Sequence, residues 1–138
     1  SDFRHEDEGA PYFAFMRCFP NPYHHSFAIQ QGAKAAFFHA AYTVESLDDL
    51  MIGRNRLLEV GAIVAPAPGR HKASGSIFQY FADPDGFTVE FTVGMEEFPE
   101  TSPRPPRNLD KRYSTTDIWN GPKPVNLPNF GAIEPATI

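Results

Sequence analysis

Four short segments hold side chains that can bind a divalent cation and move protons on a phenol. They are Tyr23-His24-His25-Ser26-Phe27-Ala28, Phe38-His39-Ala40-Ala41-Tyr42, Pro68-Gly69-Arg70-His71 with Tyr80 nine residues later, and Asp83-Pro84-Asp85-Gly86-Phe87-Thr88-Val89-Glu90. Imidazole nitrogens and carboxylate oxygens are metal ligands. Imidazole also exchanges protons near neutral pH, and a tyrosine hydroxyl donates hydrogen bonds to an oxygen that gains charge.

Glu90 is the least expected of these groups. In Phe87 to Val93 the alternation gathers Phe87, Val89, Phe91 and Val93 on a core face and leaves Glu90 between Thr88 and Thr92 on the other. Against solvent, Glu90 is an ordinary surface charge, the commoner outcome for a lone strand glutamate. If the sheet curls around a cavity, the carboxylate needs a cation to offset its desolvation. His39 shares its face with small Ala41 and Thr43, which leave room around the ring. Two histidines and one carboxylate on one side of a metal, with other positions open, are the donor set of non-haem Fe(II) oxygenases. His39 and Glu90 supply two of the three, and His25 or His71 could chemically supply the third.

The elements that must hold these groups follow from pattern. Tyr12 to Cys18 reads as a strand ended by Phe19-Pro20-Asn21-Pro22, with Cys18 a buried strand residue rather than a nucleophile. His24 to Gln30 and Phe37 to Val44 read as two more. Ser46 with Asp49 three residues on starts a helix whose stripe is Leu47, Leu50, Leu57 and Leu58, ending at Gly61. Ile63 to Ala67 is a short extended piece, and strands Ile77–Ala82 and Phe87–Val93 flank the Asp83-Pro84-Asp85-Gly86 turn. From Phe37 onward the order is β-α-β-β-β. Ser1 to Gly9 is charged and lacks an apolar period. Beyond Phe98 lie eight of the fourteen prolines, which predicts an extended tail pinned by Trp119 and Phe130.

Composition sets the bounds. The chain has 138 residues, 41% hydrophobic and 14% aromatic, which suits one soluble domain with a modest core. A net charge of −5 offers no basic patch for nucleic acid, and no apolar run is long enough to span a membrane. One cysteine excludes an internal disulfide, and the cytoplasm is the expected compartment.

Taken together, Pro22 to Ala28, His39 to Leu50, Pro68 to His71 and Tyr80 to Phe91 resemble the catalytic domain of type I extradiol catechol dioxygenases, within the vicinal oxygen chelate, or glyoxalase, superfamily. The resemblance covers roughly residues 1–97 in order and spacing. It implies an α+β fold of paired β-α-β-β-β modules curving a mixed sheet around a metal cavity. Residues 1–97 would form the catalytic portion, with 1–32 the remainder of a first module and 33–97 a complete second one, and 98–138 the proline-rich tail.

The same resemblance implies roles. His39 and Glu90 would be metal ligands for Fe(II), with Mn(II) as an alternative. His25 would be the acid/base, and His71 and Tyr80 would hydrogen-bond the bound catecholate and oxygenated species. His24 is left structural. The partners implied are a catechol-type aromatic and O2, in a homo-oligomer. One departure stands out: the first metal histidine of this family opens a strand that is absent here, along with the helix after it, and His5 is a poor substitute. The expectation is therefore a portion of a longer enzyme, or a site completed by another chain. Rival readings are a glyoxalase-like metalloenzyme, which has no need for His25, His71 and Tyr80 together, and a metal-free small-molecule binding module.

Overall fold

β-Branched and aromatic runs between glycine and proline breakers form most of the regular structure. A computed structural model describes residues 2–5, 11–33, 35–110, 112–124, 127 and 131–132. In chain order the elements are β1 (Asp2–His5), β2 (Pro11–Met16), β3 (Phe27–Gln30), β4 (Ala36–Phe37), β5 (His39–Thr43), α1 (Leu47–Glu59), β6 (Gly69–Arg70), β7 (Ile77–Ala82), β8 (Thr88–Val93), β9 (Asn108–Asp110), α2 (Tyr113–Thr116) and β10 (Gly131–Ala132). The fold is α+β. Two compact units divide the chain: Ser1–Gln31, Gly69–Ile77 and Gly94–Asn120 make the first, and Gly32–Pro68, Phe78–Val93 and Gly121–Ile138 the second.

The first unit contains a mixed sheet ordered β3-β2-β1-β9. β1 pairs antiparallel with β2 and parallel with β9. A charged opening segment without apolar period thus forms an interior strand, because the carboxylate of Asp2 finds its partners in guanidinium groups about a hundred residues along. β2 stops at Met16, so Cys18 is exposed rather than buried in a strand. β3 starts at Phe27, not at His24; the His24 amide instead donates to the Glu96 carbonyl at 2.7 Å, beside a bridge between Tyr23 and Glu97.

The second unit is organised on β5, β8 and β7. β5 runs parallel to β8 with His39 opposite Thr88 and Ala41 opposite Glu90. α1 forms where the leucine spacing and Ser46 predict it: the Ser46 hydroxyl accepts from the Asp49 amide at 3.1 Å, and Gly61 past its end takes the left-handed conformation at φ 75°. Of the expected stripe only Leu50 is fully buried; Leu47 and Leu58 are exposed. Gly53 lets the helix approach β8, since a Cβ there would stand 3.0 Å from the Phe91 ring. The Asp83 to Gly86 turn closes because Asp83 Oδ1 accepts from the amides of Asp85 and Phe87 at 3.0 and 2.8 Å, while Gly86 has φ 86°.

Beyond Phe98 the regular pieces are short, as so many prolines require. β9 and α2 belong to the first unit, and β10 pairs with β4 in the second. Trp119 is 49% exposed and does not pin the tail; Leu109, Thr115 and Asp117 are the buried anchors. Phe130 lies outside the described residues.

Candidate functional site

The polar face of β8 is its buried face. Thr88, Glu90 and Thr92 are 3, 4 and 1% exposed, whereas Val89, Phe91 and Val93 are only half-buried. A solvent-facing Glu90 is thereby excluded, and the reason lies in packing rather than alternation. α1 covers the apolar face incompletely, while the face carrying Glu90 is closed over.

On that face His39 Nε2 stands 3.0 Å from Glu90 Oε2. The parallel register makes the contact: Glu90 sits opposite Ala41, whose methyl leaves space for the ring of His39 one step along the same face. A buried carboxylate needs a hydrogen-bond donor or a cation beside it. Two ligands at about 2.1 Å and right angles around a metal stand about 3 Å apart, so the observed separation suits adjacent octahedral positions. His39 Nδ1 is buried and has no hydrogen-bond partner among the described residues. The pair therefore fits a divalent cation held through His39 Nε2 and Glu90. Among the described residues there is no group of three or more His, Cys, Asp or Glu side chains that could complete a metal shell.

Tyr80 belongs with this pair. Its ring lies 5.3 Å from that of His39 at 64°, edge to face, and 4.9 Å from that of Phe78. Phe78, Tyr80 and Ala65 make a small buried cluster against which Leu127 packs. The strand pattern does not say which side of β7 points inward because both sides are covered: Gln79 on the other face is fully buried, its Nε2 donating to the Ala65 and Tyr80 carbonyls.

His25 and His71 lie in the first unit. His25 Nδ1 is 2.9 Å from His24 Nδ1, and the Phe15 ring packs on both imidazoles. His71 Nδ1 donates to the Thr116 carbonyl at 2.7 Å. That bond leaves Nε2 of a neutral His71 as an acceptor, able to donate only as imidazolium. β6, which ends just before His71, is held by the tail, with Arg70 N donating to Asp117 Oδ1 at 3.0 Å and Ile118 N to the Arg70 carbonyl at 2.8 Å.

Sequence reasoning missed one cluster. Asp2, 1% exposed, accepts from His24 Nε2 at 2.8 Å and from Arg104 and Arg107. Arg104 also forks onto Glu96 at 2.8 and 2.6 Å, and its guanidinium lies 4.8 Å over the Phe98 ring. Burial pulls the Asp2 carboxyl up, but hydrogen bonds from Arg104, His24 and Arg107 outweigh it and hold the group far below the usual carboxylate range. The Arg104 fork likewise lowers Glu96. Burial lowers His24 against the opposing pull of Asp2. No local pattern links Asp2 to Arg104; a charge at the start of an unpatterned segment was the only available signal.

Residues 4–91 match the Glyoxalase/Bleomycin resistance protein/Dioxygenase superfamily. The chain belongs to this superfamily. Its structure aligns with the Mn(II)-bound glyoxalase from Novosphingobium aromaticivorans at TM-score 0.77 and 33% identity, over 88% of this chain and 40% of that one. Homoprotocatechuate 2,3-dioxygenase from Arthrobacter globiformis aligns at TM-score 0.77 and 21% identity, over 90% and 38%. A variant of homoprotocatechuate 2,3-dioxygenase from B. fuscum aligns at 0.74 and 20%, over 86% and 33%. The chain thus spans about two fifths of the length of the first two and a third of the last. No curated protein matches it. Membership of the superfamily confirms the expected glyoxalase fold. No helix among the described residues is long and apolar enough to cross a membrane.

Proposed function

We propose that this superfamily domain serves extradiol cleavage of a catechol-type aromatic, with His39 and Glu90 holding Fe(II) or Mn(II) together with a third ligand that the described residues do not supply. The contact of His39 Nε2 with Glu90 Oε2, on a buried face with Tyr80 edge-on to the imidazole, carries the reading. Likeness to the dioxygenases supports the fold alone; the occurrence in one sequence of His25, His71 and Tyr80 together with His39 and Glu90 supports the reaction.

Held by His39 and Glu90, the metal would supply a site for catechol and O2 and lower the cost of ionising the diol. The ring carbon–carbon bond beside the diol breaks, and both oxygen atoms enter a hydroxymuconic semialdehyde-type product. His25 would accept a hydroxyl proton as the catechol binds and return it during the reaction. Tyr80 donates from its hydroxyl to an oxygen gaining charge, and His71, tied to Thr116 through Nδ1, acts on the substrate through Nε2.

A second reading has one specific support, the 33% identity to a Mn(II)-bound glyoxalase. It would keep the His39–Glu90 pair and act on a thiol-derived or acyl substrate without consuming O2.

The deciding experiment is anaerobic Fe(II) and Mn(II) titration of the chain and its Glu90→Ala variant, followed by O2 uptake with catechol. One Glu90-dependent metal and catechol-dependent O2 uptake are expected. Metal-dependent turnover of a thiol-derived substrate with no O2 uptake would replace the reading with the second one. Ligand binding unchanged by chelators would replace both with a binding module. No metal retention would mean that the third ligand is not supplied by this chain.

A further inference from the structure

The first unit holds a line of three side chains running from a buried carboxylate to the proposed acid/base. Asp2 Oδ2 is 2.8 Å from His24 Nε2, and His24 Nδ1 is 2.9 Å from His25 Nδ1. We propose that His24 is a positioning residue, relaying the orientation of Asp2 to His25 and holding His25 in the tautomer whose Nε2 is the proton acceptor. The proposal rests on the reading of His25 as the acid/base.

Hydrogen counting gives the tautomers. The Asp2 carboxylate can only accept, so His24 Nε2 carries the hydrogen. A neutral His24 then has a bare Nδ1, which must accept from its neighbour. The hydrogen shared between the two Nδ1 atoms therefore sits on His25, and His25 Nε2 is left with a lone pair. Protonating His25 at Nε2 leaves its Nδ1–H bond to His24 intact, so the ring gains and loses its proton without turning.

Charge around the line keeps His24 neutral. The groups facing it are Asp2, Glu96, Arg104, Arg107 and His25. Two carboxylates are matched by two guanidinium groups, so a cationic His24, 1% exposed, would be a buried charge in excess. Burial lowers its proton affinity in the same sense. The Phe15 and Phe98 rings, 5.6 and 5.9 Å from the His24 ring, supply no acceptor for a second N–H. Arg104 and Arg107 fix Asp2 from the far side, so the line starts from a carboxylate that cannot rotate away.

The test is nitrogen-15 NMR of the histidine rings in the metal-free 138-residue chain near neutral pH. The expected result is His24 with its hydrogen on Nε2 and His25 with its hydrogen on Nδ1. In His24→Gln the carboxamide can accept from His25 and donate to Asp2, and the His25 tautomer is retained. In His24→Leu it is lost to a mixture. His25 carrying its hydrogen on Nε2 in the wild type overturns the proposal, as does an unchanged His25 tautomer in a folded His24→Leu protein. Should His24→Leu fail to fold, the wild-type tautomers alone decide. The measurement needs neither metal nor substrate, so it fails or succeeds separately from the proposed reaction.

Discussion

Arg104 binds Asp2 through two parallel hydrogen bonds, Nη1 to Oδ1 at 2.8 Å and Nη2 to Oδ2 at 2.9 Å, across 102 positions of sequence. The same guanidinium holds Glu96. The proline-rich segment is thereby joined to the opening strand by a fork that neither segment predicts alone. Arg104→Met should destabilise the protein by less than the about 3–5 kcal/mol that a buried ion loses with its whole partner set, because Arg107 keeps its bonds to Asp2. Urea unfolding midpoints of Arg104→Met, Arg107→Met and the double variant test this. The double variant should lose more than the sum of the singles, since only it leaves Asp2 without a guanidinium partner.

Stability should decline in two steps as pH falls. The folded-state affinities of His24, Asp2 and Glu96 for protons are all lowered, so the unfolded chain binds more protons at each. The His24 contribution is present above its ordinary value of about 6.5 and fades as pH falls below it. Those of Asp2 and Glu96 are complete above about 5 and fade at lower pH. Stability measured by denaturant titration from pH 8 to 3 should show both declines, and His24→Gln should remove the first. A flat profile from pH 7 to 5 in the wild type would contradict the buried, neutral His24.

Glu90→Gln separates metal binding from packing. If Glu90 is a ligand, as proposed, metal affinity should fall by more than the about 10–100-fold typical of losing an outer-shell partner. The metal-free variant should be at least as stable as the wild type, because a neutral carboxamide removes the desolvation of a carboxylate buried beside His39. Metal titration and thermal unfolding with and without Mn(II) give the two numbers.

His25 and Tyr80 should differ in what they cost. His25→Ala should leave metal and catechol binding in place and abolish turnover, within the range of about 10²–10⁴-fold for general acid–base groups. Tyr80→Phe should lower turnover partially while keeping the ring packed on Phe78 and His39. Metal release by His25→Ala, or wild-type turnover in Tyr80→Phe, would revise the division of roles.

Ser46→Ala tests the seat of α1. The hydroxyl accepts from the Asp49 amide and donates to the Asp49 carboxylate at 2.6 Å, so its loss should cost about 1 kcal/mol, read as a shifted unfolding midpoint without change in metal binding.

Local chemistry made much of this protein legible. Ser46, the leucine spacing and Gly61 specify α1, and the Asp83 to Gly86 turn and its flanking β-branched residues specify β7 and β8. Each depends on neighbours a few residues apart, where hydrogen-bond geometry and side-chain period act. Three things lay beyond that range. Which face of β8 is buried depends on what covers each side, and the answer reversed the solvent reading of Glu90. Asp2 enters an interior strand only because Arg104 and Arg107 neutralise it. The contacts of the two His24 ring nitrogens with Asp2 and His25 come from chain folding and not from local spacing. Burial, charge matching between distant segments and the direction of a ring nitrogen are properties of the packed chain, and the tertiary structure alone decided them.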